Sequence, residues 1–287
     1  MDTFSNHLTE AVIATFKDTP ERHRHLFASL VSHLHAFVIE NECTTTEWMS
    51  CLTFLETVGK HCSEERNEFI LLSDVLGVSA LVDAINHRRP EVATPNTVLG
   101  PFFHEESPRI NHADSIVHQD TVGERVLVKA RVKNLRGEPI RGALIDVWET
   151  DGNGEYDVQR HEKDEPLQQD CRGHLYSNEH GQVELLALKP VAYPLPTDGP
   201  VGAMLLSCKR SIYRPAHVHF KITAQGYDPL VTALYTYDDT YVDIDAVFGV
   251  KEALKVKYER SLGKHPWLLC PEFILITEEE AQVRRNH

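Results

Sequence analysis

Apolar positions along this chain follow two different periods. Up to about residue 90 they recur at helical spacing: Leu26, Leu30, Val31, Leu34, Phe37 and Val38 fall on one face. Thr19 and Pro20 before them read as an N-cap followed by proline at the first helical position. Thr44 and Glu47 have capping-box spacing and open a second helix carrying Trp48, Leu52, Phe54, Leu55 and Val58. A further apolar stretch runs Phe69, Ile70, Leu72, Val75, Leu76, Val78 and Leu81, and Pro90 closes the region. After Pro95 the period shortens to two. Val126, Val128, Ala130 and Val132 alternate in part with basic residues, as in a half-buried strand. Further strands are predicted at 144–148, 183–188, 217–223, 230–235 and 273–277, divided by turn residues such as Gly137-Glu138-Pro139. The polar stretch 153–170 reads as a surface loop. The pattern predicts a mostly β protein: an antiparallel β-sandwich catalytic domain over residues 96–287, preceded by a helical domain over 1–95.

Composition narrows the function. A net charge of −14 over 287 residues leaves no basic face for phosphate, which excludes nucleic acid as a partner and disfavours an anionic membrane surface. No run approaches the roughly 20 apolar residues of a membrane span. The six cysteines are scattered without a CxxC pair, as reduced thiols are. The start Met1-Asp2-Thr3-Phe4 lacks the basic and apolar regions of a signal peptide. A cytoplasmic protein is expected.

The candidate chemistry lies in four side chains. His217 and His219 are two apart on a predicted strand, so both imidazoles point to one side while Val218 points to the other. Alone, the pair fits a solvated strand face as well as a metal. It also fits a zinc hydrolase, although Phe220 and Lys221 stand where a completing acid would follow. Tyr156 and Tyr193 are the other candidates. A free phenol has a pKa of about 10, so tyrosine ligates well only where a hard, highly charged cation stabilises the phenolate. Two imidazoles with two phenolates suit Fe(III), in contrast to the imidazole and carboxylate sites of Fe(II). Taken one at a time, each tyrosine reads as structural.

Several motifs occur in one order between residues 68 and 260. They are Glu68 to Asp74, Thr97 to Phe103, Gly137 to Ile140 leading into Val147-Trp148, Gly154 to Tyr156, and Arg172-Gly173. Tyr193 to Pro196 with Asp198 to Pro200, Tyr213 to His219, and Asp245 to Val250 complete the series. In these stretches the chain resembles the intradiol ring-cleavage dioxygenases, and most closely their hydroxyquinol-cleaving members. The resemblance implies non-haem Fe(3+) held by Tyr156, Tyr193, His217 and His219. It implies that Arg214 lies against the bound diol and that Tyr193 leaves the metal to accept a substrate proton. The substrate pocket is expected at Leu71, Asp74, Val98, Leu99 and Gly100, and at Phe102, Leu195, Pro196 and Val247. The implied reaction is O2-dependent cleavage of hydroxyquinol to 3-hydroxy-cis,cis-muconate or maleylacetate, with catechol cleavage to cis,cis-muconate as the alternative. An acidic Asp74 facing a third ring hydroxyl favours the former. The resemblance further implies a homodimer through the N-terminal helices, with phospholipid at the interface. One departure is Ala233, where the family pattern has glutamine fourteen residues after the second histidine. The competing class is a non-enzymatic β-sandwich carrier of aromatics or lipid.

Overall fold

The computed structural model describes residues 3–63, 66–160 and 167–285. It forms two compact units, one up to Lys60 and one from His61 onward. The first contains α1 (Thr3–Ala14), α2 (Glu21–Glu40) and α3 (Thr45–Lys60). The capping box forms: Glu47 N–H donates to Thr44 Oγ1 (3.2 Å) and Thr44 N–H donates to Glu47 Oε2 (2.9 Å). At α2, Pro20 itself is the N-cap, one residue later than the sequence suggests. α2 buries none of its residues, and Leu30, Leu34 and Phe37 are all more than half exposed (54%, 54% and 60%).

In the second unit the apolar stretch 69–81 is two helices, α4 (Glu68–Val75) and α5 (Val78–Asn86). Gly77 at φ +73° interrupts it, in a left-handed conformation that carries the chain out of one helix and into the next. Asn67 caps α4 by accepting from Phe69 and Ile70 N–H, both at 3.1 Å. The buried Glu68 carboxylate accepts from Val201 N–H (3.1 Å) in the first turn of α6 (Pro200–Ser207), where the helix dipole favours negative charge. Helix α7 (Glu278–Arg285) ends the described chain.

The described residues form twelve strands, in chain order β1 (Arg125–Asn134), β2 (Leu144–Trp148), β3 (Arg172–Tyr176), β4 (Gln182–Leu188), β5 (Tyr193–Pro194) and β6 (Tyr213–Arg214), then β7 (His217–Thr223), β8 (Leu230–Thr236), β9 (Lys255–Val256), β10 (Glu259–Arg260), β11 (Trp267–Leu269) and β12 (Glu272–Leu275). One five-stranded sheet joins β10, β11, β1, β12 and β4; the other runs β3-β2-β7-β8-β9. The expected all-antiparallel pairing is corrected here, because both sheets are mixed. β11 and β12 lie in succession along one edge of β1 and run parallel to it, as β9 does to β8. Parallel neighbours require long crossover connections, and the 237–254 excursion between β8 and β9 supplies one. The core lies between the sheets, where Val126, Val128, Ala130 and Val132 of β1 and Val183, Leu185 and Ala187 of β4 meet Ile145 and Val147 of β2 and Val218, Phe220 and Ile222 of β7. Each set occupies alternate positions, so the other face of β7 is left for His217 and His219.

The 153–170 stretch differs from a simple surface loop. Residues 161–166 lie outside the described residues, but Tyr156, Asp157 and Asp170 are buried, with Asp157–Gln159 forming a 3-10 turn. Asp157 pairs with Arg172 and Asp170 accepts from His118 N–H and the Thr121 hydroxyl, while Asn153, Glu155 and Arg160 remain exposed.

Candidate active site

Strand register assembles the first half of the site. β7 is flanked by β2 and β8, so His219 stands opposite Trp148 on one side and Ala233 on the other, and His217 stands opposite Tyr235. The Trp148 indole stacks on the His219 ring, centroids 4.9 Å apart and planes within 2°. Irregular backbone assembles the second half. Tyr156 closes the loop that leaves β2, and Gly154 in that loop has φ +86°. A Cβ on Gly154 would lie 2.9 Å from the Tyr193 Cβ, so only glycine admits the close approach of the two tyrosine segments. Tyr193 in β5 pairs with Arg214 in β6, which brings those two residues side by side at the site.

Tyr156, Tyr193, His217 and His219 converge, and each is at most 6% exposed. The two phenol rings meet edge to face at 5.7 Å, and the two imidazoles at 4.7 Å. His217 Nδ1 lies 2.6 Å from the Pro215 carbonyl, which can only accept; that nitrogen therefore carries the proton and Nε2 presents its lone pair. His219 Nε2 is 3.0 Å from His217 Nε2. Burial, followed by the nearby positive charge of Arg214 for His217 and by the His217 and Arg214 charges for His219, pushes both imidazoles well below their ordinary pKa and keeps them neutral. Burial, then the neighbouring Tyr193, pushes the Tyr156 phenol well above its ordinary value. A phenolate here therefore needs a cation.

These features fit a bound metal ion. Imidazole–metal bonds of about 2.0–2.1 Å meeting near a right angle place two donor nitrogens roughly 3 Å apart. His219 Nδ1 is buried without a hydrogen-bond partner, so nothing but a bond at Nε2 engages that ring's polar atoms. The donors that converge here are a mixed set of two imidazoles and two phenols.

Arg214 spans the cluster. Its Nη1 donates to His217 Nε2 (3.1 Å) and lies 3.5 Å from the Tyr193 hydroxyl; Nη2 donates to Tyr235 Oη (3.2 Å), and Nε pairs with Asp245 (3.3 Å). Burial alone would lower its pKa, but Asp245 and the surrounding tyrosines outweigh burial and hold it well above its ordinary value, so it stays cationic.

Of the expected pocket residues, Gly100 lies against His219, where a Cβ would meet the ring at 3.6 Å, and Phe102 stacks on Tyr156 at 4.4 Å. Asp74 is buried on α4, close enough to Arg214 and Asp245 to feel both charges. Burial raises its pKa, against the opposing effects of a Ser79 hydrogen bond and Arg214. Val247 is buried, with its N–H directed at Asp245 Oδ1 (3.3 Å). Leu195 is buried and extends the Tyr193 ribbon through a bond to the Ile212 carbonyl (2.8 Å). Leu71 and Val98 are half-buried, whereas Leu99 and Pro196 are exposed. Tyr235 and Asp245 went unmarked in the sequence. Asp245 sits in a quoted motif, and Tyr235 becomes visible once β7 and β8 are put in register.

Comparison with known proteins gives these features a family. Residues 98–274 match the family model described as "Dioxygenase", and residues 20–94 match "Catechol dioxygenase N terminus". The intradiol ring-cleavage dioxygenase hqdA of Aspergillus niger is 43% identical over 274 residues, covering 92% of this chain and 82% of that protein. A hydroxyquinol 1,2-dioxygenase of Rhizobium sp. is 44% identical over 254 residues, 88% of this chain and 84% of its own. The crystal structure of hydroxyquinol 1,2-dioxygenase from Pseudomonas putida DLL-E4 superposes with a TM-score of 0.89 at 42% identity, over 96% of this chain and 99% of that one. Both domains of the fold and a relative matched along most of its length agree: this chain belongs to the intradiol ring-cleavage dioxygenases.

Proposed function

We propose that this enzyme cleaves the ring of hydroxyquinol with O2, between the two adjacent hydroxyl-bearing carbons. We assign Tyr156, Tyr193, His217 and His219 as the ligands of a non-haem Fe(III). The carrying observation is the buried convergence of these four donors beside a permanently cationic Arg214. Fe(III), when bound, supplies the Lewis acidity that ionises the diol and the electron-accepting capacity that lets it react with O2.

The protein's part is proton handling, orientation and charge. Tyr193 sits on a two-residue strand of a two-stranded ribbon, beside Arg214, and is the group suited to take a substrate proton onto its phenol oxygen. Arg214 then faces a neutral phenol and an anionic diol, and its guanidinium stabilises the negative charge that develops on the substrate. Tyr156, His217 and His219 stay in place, held by Phe102, by the Pro215 carbonyl and by Trp148. Asp74 supports hydroxyquinol over catechol. A third ring hydroxyl entering a largely apolar pocket needs a partner, and the buried Asp74 carboxyl, near enough to Arg214 to feel its charge, is suited to provide one. The Rhizobium and Pseudomonas relatives, named for hydroxyquinol cleavage, support the same choice.

Metal analysis with an absorption spectrum, followed by oxygen uptake on hydroxyquinol and catechol, tests this. The expectation is about one iron per chain, a red protein and preferential hydroxyquinol turnover. Zinc, or a colourless protein at full metal occupancy, overturns the ligand assignment; a preference for catechol overturns the substrate alone.

The same reading includes a homodimer through the N-terminal helices, supported by the exposed Leu30, Leu34 and Phe37 of α2 and Trp48, Met49 and Leu52 of α3. Sedimentation at twice the 32.6 kDa chain mass is expected. Phospholipid at that interface rests on the family resemblance and is checked by lipid extraction. No helix among the described residues is long and apolar enough to cross a membrane, and a cytoplasmic setting accords with this.

A further inference from the structure

We propose that Arg172 is a positioning residue, which with Asp157 clamps the 100–108 segment over the site and so fixes the Tyr156 ring. The proposal rests on the reading of Tyr156 as a metal ligand. Arg172 lies outside the donor cluster and touches none of the four proposed ligands' polar atoms, yet its three nitrogens are all committed. Nε donates to Asp157 Oδ2 (2.6 Å), Nη2 binds Asp157 Oδ1, and Nη1 donates to the Phe102 carbonyl (3.0 Å). The pair is desolvated, with side chains 2% and 1% exposed.

Both ends of this clamp lead to Tyr156. Asp157 is its chain neighbour and the first residue of the 3-10 turn that Tyr156 caps; Tyr156 N–H donates to the Gln159 side chain (2.9 Å) and Gln159 N–H donates back to Tyr156 O (3.0 Å). Phe102, held through its carbonyl, stacks its ring on the Tyr156 phenol. The clamp therefore fixes the tyrosine from its backbone below and its ring face above. A third link runs through the sheet, since Arg172 pairs in register with Trp148, the residue stacked on His219.

The 100–108 segment has little regular structure of its own and is held mainly from β2 and β3, with Gln169 donating to the Glu106 carbonyl (2.7 Å) and the Phe103 ring lying against Trp148 and Lys221. Besides the Arg172 bond, Ser107 donates to Asp146 (3.1 Å), His174 Nδ1 lies 2.9 Å from the Ser107 carbonyl, and His174 N–H donates to the Pro108 carbonyl (2.8 Å). These anchors hold the far end. Arg172 alone among them reaches the end that carries Gly100 and Phe102, the part facing His219 and Tyr156. A planar guanidinium is required because it serves a carboxylate with one fork and a carbonyl with the remaining nitrogen; an ammonium cannot span both.

The test compares wild-type holoenzyme with R172K and with the double variant D157N/R172Q. The single R172Q change leaves Asp157 as an uncompensated buried charge and risks misfolding, whereas the double variant replaces the ion pair with a neutral pair. Three quantities are read: hydrogen exchange of the 102–108 amides, the phenolate-to-iron absorption band, and KM and kcat on hydroxyquinol. In both variants exchange at Phe102 and Phe103 rises at least about tenfold while β1 and β4 stay protected, the band shifts at unchanged iron content, and KM rises roughly tenfold with a smaller change in kcat. If D157N/R172Q recovers wild-type exchange, band and KM along with its stability, Arg172 is only a counter-ion and the proposal fails. It fails equally if R172K leaves the 102–108 amides as protected as before. A wild type that binds no iron removes the reading of Tyr156 as a ligand, and hydrogen exchange alone then decides whether the clamp exists.

Discussion

The histidine side and the tyrosine side of the site are built in opposite ways. His217 and His219 sit on a central strand, hydrogen-bonded on both edges, with Val218, Phe220 and Ile222 buried in the core behind them. Their positions cannot shift without breaking register, because a one-residue slip would turn the imidazoles inward and the apolar side chains outward. Tyr156 and Tyr193 stand on a glycine-containing loop and a two-residue strand, braced by stacking and by side-chain hydrogen bonds. A rigid pair faces a braced pair, and Tyr193, the donor proposed to release the metal, belongs to the second.

The sharpest way to break that comparison is to delete donors from each side. His217→Ala and His219→Ala should reduce iron to below about a tenth per chain and turnover by roughly 10³-fold or more, since each removes a proposed ligand fixed by strand register. Tyr193→Phe should keep more iron than either, yet lose about 10²- to 10³-fold in kcat because a substrate proton loses its acceptor. Metal content measured beside turnover decides. If Tyr193→Phe strips the metal as completely as the histidine variants, the two sides are equally structural and the contrast disappears.

Asp74→Ala addresses the proposed substrate contact. It should cut kcat/KM for hydroxyquinol by roughly 10- to 100-fold and leave catechol turnover unchanged or improved, as expected for loss of one charge-assisted hydrogen bond. Paired kinetics on both substrates is the measurement, and equal losses would make Asp74 a helix residue only. Tyr235→Phe should be milder, at about 3- to 10-fold in kcat/KM with iron content unchanged, because Arg214 keeps Asp245 and loses only one partner.

The smallest effect on chemistry is expected at Glu149, at the end of β2 on the rigid side. Burial pushes its carboxyl up to about 8, against an opposing bond from Leu188 N–H (2.6 Å). Its pKa in the unfolded chain is the ordinary 4.5. The folded state therefore holds a proton that the unfolded chain releases, and this contribution to stability is complete below about 4.5 and lost as pH rises through about 8. Glu149→Gln should flatten that part of the Tm–pH profile and raise Tm at pH 8, with little change in kcat. An unchanged slope would place the proton elsewhere.

What the sequence disclosed follows the same division. The two histidines were legible as a pair because strand alternation is a local rule, and the Thr44–Glu47 box formed as spaced. The tyrosines gave no local signal; only the order of motifs joined Tyr156 to Tyr193. The split at Gly77 was hidden because apolar spacing continues across it, and the mixed pairing at β1 was hidden because strand direction depends on connections far along the chain. Asp157 fell within the stretch read as a surface loop, and Arg172 was marked only as part of a motif, with no partner assigned. Polar side chains that satisfy one another in the interior have the same composition as those that face water, so composition could not separate the two.

The two imidazoles also differ from each other. His217 donates its Nδ1–H to the Pro215 carbonyl, which enriches the ring with electron density, while His219 Nδ1 is buried without a hydrogen-bond partner, in a ring stacked on Trp148 and paired across the strands with Ala233. The two are thus unequal as electron donors to whatever they bind. Residue 233 becomes a natural place for tuning by selection or by design, since lengthening one buried side chain there would alter the surroundings of His219 without replacing any of the four donors.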